Sequence, residues 1–176
     1  MGDKKILLLL SKFSDSASKA ISFFTGFYYT HASIGLSEDR NTFYSFVLKG
    51  FIVEKITRYI ERKTVKVPCE LYEMEVSDEV YETARTALSD FNERKKEFHY
   101  SVFGLILSLF HIPHKSRRAF FCSQFVADIL KNSRAVKLRK SSSLYFPRDL
   151  RKLQGTKLAF RGNLQELTEQ YRLCPA

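Results

Sequence analysis

Cysteines are too few, and odd in number, for a disulfide framework: Cys69, Cys122 and Cys174 cannot all pair, and none stands at a metal-ligand spacing. Reduced thiols are expected, the state a cysteine nucleophile needs. Long apolar runs are missing as well. The opening MGDKKILLLLSKF sets lysines before Ile6–Leu10, but that run is five residues long and no small-residue cleavage site follows, so it reads as a buried first strand rather than an export signal. Val102 to Ile112 is interrupted by Gly104 and Ser108 and is too short to span a bilayer. These absences point to a soluble, cytoplasmic protein. Repeats and low-complexity tracts are absent too, and 176 residues that are 44% hydrophobic suit one domain, 1–176, with the tail from about residue 163 peripheral.

Acidic residues are scarce in one region only. Residues 1–100 balance fifteen Lys/Arg against fifteen Asp/Glu, whereas residues 101–176 carry fourteen against four, so the whole formal charge of +10 lies in the second part. Clustered cations concentrate anions, which admits an anionic substrate or surface; Lys115, Arg117 and Arg118 also suit a solvated loop. No nucleic-acid module is present, and no specific nucleic-acid binding is expected.

Along the chain, Ser14 to Phe24 reads as a short helix closed by Thr25-Gly26. YYTHASIGL, the polar turn SEDRN and FYSFVL read as a hairpin, after which Gly50 breaks the pattern and Phe51–Ile60 continues irregularly. TVKVPCELYEMEV alternates as a strand, with Pro68 implying an edge or a bulge. Ser77 caps a long helix that buries Val80, Ala84, Ala87, Leu88 and Phe91 and ends in the charged run Glu93–Glu97. Tyr100–Ile112 reads as a buried helix, SSSLYFPRDLRKL as loop and turn, and KLAFRG as a short terminal strand. The class is α+β.

Within RRAFFCSQFVADILKN, Phe125, Val126, Ile129 and Leu130 recur at helical spacing from Cys122, which places that cysteine in the first turn on the inward face. Unpaired N–H groups and the positive dipole there favour a thiolate and offer donors to an oxyanion; the plainer reading is a small buried hydrophobe. A nucleophilic thiol wants a base, and four histidines are available. His111 and His114 flank Pro113, which spoils a metal pair, and His99 follows a charged helix end. His31 instead begins the strand THASIGL and shares its face with Ser33 and Gly35, whose small size leaves room for a helix bearing Cys122.

YTHASIGL followed by FYSF, and later FFCSQFVADIL with a downstream FPRDL, resembles the circularly permuted branch of the NlpC/P60 superfamily, the YiiX-like papain-like cysteine hydrolases, over about Lys5 to Leu153. The resemblance implies a papain-like fold with a small antiparallel sheet packed on the cysteine helix, Cys122 as nucleophile and His31 as base. Where that branch has an acidic residue to orient the imidazole, the matching position is Ser45; Glu54 is the nearest carboxylate downstream, and Tyr29 and Gln124 lie near in sequence. It further implies a peptidase or amidase that cleaves a small amide or peptide through a thioester, with neither metal nor cofactor. An acyltransferase or lipid-processing enzyme of the LRAT-like type, with peripheral membrane contact, shares the permuted order, and the Phe23-Phe24 and Phe120-Phe121 pairs suggest an apolar groove for it. An inactive binding domain is the third alternative, resting on Ser45.

Overall fold

The computed structural model of the chain describes residues 4–13, 26, 28–58 and 66–173. The expected helix Ser14–Phe24 and Cys174 lie outside them. Strand β1 (Lys5–Ser11) is the organising element. Its leucines face both ways: Ile6, Leu8 and Leu10 enter one apolar cluster, and Leu7 and Leu9 enter a second on the opposite face. A strand covered on both faces needs no polar alternation, which is the physical reason for the unbroken run ILLLL.

Around β1 the sheet is antiparallel throughout and larger than the resemblance implies. Strands β2 (His31–Leu36), β3 (Asp39–Val47), β4 (Gly50–Lys55), β5 (Pro68–Glu75) and β8 (Thr156–Asn163) join it in the order β4-β3-β2-β1-β5-β8. The hairpin expected around SEDRN is β2 and β3. The irregular stretch expected after Gly50 is instead a third strand, because Gly50 at φ 108° turns the chain straight back on β3. Pro68 does not mark an edge: it opens β5, between β1 and β8, where the missing N–H costs least, and the bulge falls later, between Leu71 and Tyr72. A small second sheet pairs β6 (His99–Tyr100) with β7 (Ala119–Phe120) in parallel.

Helices close both faces. Helix α1 (Asp78–Glu93) is capped by Ser77, whose side chain accepts from the Val80 N–H, and it buries Tyr81, Ala84 and Leu88. It packs with α3 (Cys122–Asn132) over Ala32, Ile34 and Phe46. Between them in the chain comes α2 (Val102–Leu109), shorter than the helix expected over Tyr100–Ile112 and not buried: Val102, Phe103 and Ile106 face solvent. The FPRDL segment forms the four-residue helix α4 (Pro147–Leu150), with its proline in the first turn. The tail is not peripheral. Helix α5 (Leu164–Leu173) inserts Leu164 and Leu167 into the second cluster against Leu7, Leu9, Phe43 and Leu71.

Candidate active site

His31 is the first residue of β2 and Cys122 the first of α3, so the two meet where a strand and a helix begin. The helix reaches the sheet through its apolar stripe, with Phe125, Val126 and Ile129 in the cluster that holds Ala32 and Ile34. It therefore does not occupy the space beside Ser33 and Gly35. A Cβ on Gly35 would come within 3.0 Å of the Phe43 ring and 2.9 Å of the Thr42 carbonyl oxygen, so that glycine makes room for β3 rather than for α3. Phe121, at the N-cap of α3, has no side-chain acceptor to offer, and the N–H groups of the first turn are left uncapped by it.

The carboxylate partner of His31 is Glu54. The His31 Nε2–H donates to Glu54 Oε1 at 2.7 Å, and the Ser33 hydroxyl donates to Glu54 Oε2 at 3.2 Å, so both carboxylate oxygens are held. These side chains are nearly enclosed, at 7% and 10% exposure for His31 and Glu54. The Phe13 ring meets the imidazole edge-on at 5.3 Å between centroids. With Nε2 committed to Glu54, Nδ1 is the nitrogen free for the thiol.

Burial of the imidazole opposes its protonation, but the negative charge of Glu54 and hydrogen bonds with Cys122 and Glu54 outweigh it and raise the His31 pKa to about 10. The Cys122 thiol thus lies within reach of the imidazole and favours its charged form. It is 6% exposed. Cys69 has no such partner: burial, with Glu166 and Glu70 adding to it, pushes its thiol up to about 12.

Ser45 does not take the orienting position. Its hydroxyl is fully buried and donates to the Ala32 carbonyl oxygen at 2.6 Å, tying β3 to β2 instead of facing the ring. Glu54 rides on the edge strand β4, yet its side chain is nearly enclosed. The signal for it lay in GFIVEK, where Phe51 and Val53 alternate with Ile52 and Glu54 once Gly50 is read as a hairpin turn instead of a break. Gln124, in the first turn of α3, is buried and its Oε1 has no hydrogen-bond partner among the described residues. Tyr29 is half-buried, its hydroxyl pushed well up first by burial and then by Glu70. The apolar groove expected at Phe120-Phe121 is not there: Phe120 packs on Phe46 and Phe91, and Phe121 is fully buried. Phe23-Phe24 lies outside the described residues.

Among the described residues, no three His, Cys, Asp or Glu side chains gather as a metal site. What the arrangement offers chemically is a thiol, a base and a carboxylate in series, with uncapped helix N–H donors beside the sulfur. No protein-family model matches the chain, and no curated protein matches it.

Proposed function

We propose that the chain is a thiol hydrolase, papain-like in its permuted arrangement, that cleaves an amide through a thioester acyl-enzyme. One observation carries this reading: the enclosed series Glu54, His31, Cys122, in which a carboxylate 2.7 Å from Nε2 leaves the other ring nitrogen for the thiol. His31 accepts the Cys122 proton and the sulfur attacks the carbonyl carbon. The developing oxyanion is bound by N–H groups of the first turn of α3. His31 then protonates the departing amine as the C–N bond breaks. In the second half His31 takes a proton from water, whose oxygen displaces the sulfur and releases the acid. Glu54 holds the ring and stabilises the imidazolium between these steps. The uncharged Ser45 was the support for an inactive binding domain; with Glu54 supplying the carboxylate, that support falls away.

The test is a thiol-directed activity-based probe on the native chain. Labelling at Cys122, abolished in Cys122→Ala and in His31→Ala and leaving Cys69 unlabelled, is the expected result; equal labelling of Cys69 and Cys122 would reduce Cys122 to a core thiol. Acyl transfer on a lipid is the second reading, favoured by the exposed apolar side chains of α2. Mass spectrometry after incubation with a short-chain phospholipid separates the two, since only the second reading gives a deacylated lipid.

A further inference from the structure

Helix α2 is built the wrong way round for a globular protein. A surface helix ordinarily turns its large apolar residues inward and its polar ones to water. Here the fully buried residues are Gly104 and Ser108 and the three leucines are only half-buried, while Val102 and Ile106 are about half exposed and Phe103 and Phe110 are 63% and 72% exposed. Ile112, just beyond the helix, is exposed as well. The inward side is fixed by small groups: the Gly104 N–H donates to Ser101 Oγ, the Ser108 hydroxyl donates to the Leu105 carbonyl oxygen, and a Cβ on Gly104 would lie 3.6 Å from the His114 ring. Exposed large apolar residues elsewhere among the described residues are scattered singly, at Tyr28, Leu48 and Leu158. Five together on one short segment are a patch, and a patch needs an explanation.

The residues that follow it say what covers it. Lys115, Arg117 and Arg118 are all exposed, follow Ile112 after Pro113 and His114 and form no ion pair among the described residues, although Lys115 acts on Asp128 and Arg118 on Glu97 at longer range. They belong to the part of the chain that holds the whole excess of positive charge. A second copy docked symmetrically on this face would set one basic rim against another, which disfavours self-association. An anionic bilayer answers both features at once: its headgroups neutralise the cations while the phenylalanines enter the boundary of the acyl chains. At eight residues α2 is about 12 Å long and cannot cross a bilayer, so it can only lie in the interface.

We infer that α2 and the basic segment after it form an interfacial anchor that seats the protein on anionic lipid surfaces. Arg118 stands four residues before Cys122 in the chain, so docking brings the candidate active site close to the headgroup layer. The inference does not depend on catalysis.

Flotation with vesicles tests it on the full chain. Vesicles of phosphatidylcholine with phosphatidylglycerol should carry the wild-type protein and Cys122→Ala equally, whereas pure phosphatidylcholine should carry much less. Phe103 and Phe110 are largely exposed, Phe103 keeping one edge contact with the His114 ring at 5.4 Å between centroids, so Phe103→Ser with Phe110→Ser should lower the thermal melt only slightly and weaken binding by more than about tenfold. Arg117→Glu with Arg118→Glu should weaken it by about tenfold or more, and added salt should do the same. Failure of the wild type to float with either vesicle, or equal flotation of the serine pair, overturns the anchor. A wild-type dimer in light scattering that the serine pair dissociates would overturn it in favour of self-association.

Discussion

Glu54 performs the orienting task for which Ser45 is the position matched by the resemblance, and Ser45 performs another. Glu54 holds the imidazole; Ser45 holds the strands together. Two substitutions separate these tasks. In Glu54→Gln the charge that favours imidazolium is gone, so His31 should fall back toward its ordinary value and alkylation of Cys122 by iodoacetamide near neutral pH should slow by about tenfold. The stability signature has a definite sign. A histidine whose pKa is raised from 6.5 to about 10 by folding contributes stability that is fully present below about pH 6.5 and is lost as pH rises through about 10. The gap in melting temperature between wild type and Glu54→Gln should therefore be widest in mild acid and shrink across that window; a gap that widens with pH would mean that the ion pair is not what Glu54 contributes. Ser45→Ala removes a buried hydrogen bond to Ala32 and should cost about 1 kcal/mol at any pH, without altering the pH profile of Cys122 alkylation.

At the scale of elements, strand β4 exists because of its first residue. Gly50 has φ 108°, and a Cβ there would stand 2.9 Å from the Phe98 carbonyl oxygen, a backbone atom that cannot step aside. Gly50→Ala should cost about 1–3 kcal/mol and, because Glu54 rides on the same strand, should also move the alkylation profile of Cys122 toward that of Glu54→Gln. Urea unfolding and alkylation kinetics read the two effects separately; lost stability with an untouched profile would show that Glu54 is held by Ser33 and His31 alone. This strand also marks where sequence reasoning stopped. Patterns confined to one element were readable: the cap at Ser77, the apolar stripe of α3 that puts Cys122 in its first turn, and the alternation of β2 that begins at His31. Features decided by what lies across an element were not. GFIVEK looks irregular until its pairing with β3 is known, and VFGLILSL has the composition of a core helix although its fully buried residues are Gly104 and Ser108. Composition records how apolar a segment is, not which side of it finds a partner.

For the whole molecule, the sheet has two apolar faces, and the end of the chain closes one of them. Helix α5 covers Leu7, Leu9 and Leu71 with Leu164 and Leu167, the buried Thr168 hydroxyl stands 2.6 Å from the Leu164 carbonyl oxygen and 3.2 Å from that of Ile56, and Tyr171 lies under the Arg40 guanidinium. The covered face includes Phe43, which stands opposite Glu54 in the β3–β4 register. A tail that merely decorated the surface could be altered freely; this one is part of the core that sets where β4 lies. Leu167 is fully buried, so Leu167→Ala should open a cavity in the second cluster and cost about 2–5 kcal/mol. Leu158, on β8 and 46% exposed, is the matched control: Leu158→Ala removes the same atoms from water-facing surface and should stay within about 0.5 kcal/mol of wild type. Chemical denaturation of both variants decides between the two pictures, since equal and small losses would return α5 to the periphery. If Leu167→Ala is the costly one, its effect should reach the site as well: a loosened second cluster loosens Phe43 and its neighbour Glu54, and Cys122 should alkylate more slowly at neutral pH even under conditions where the variant is fully folded.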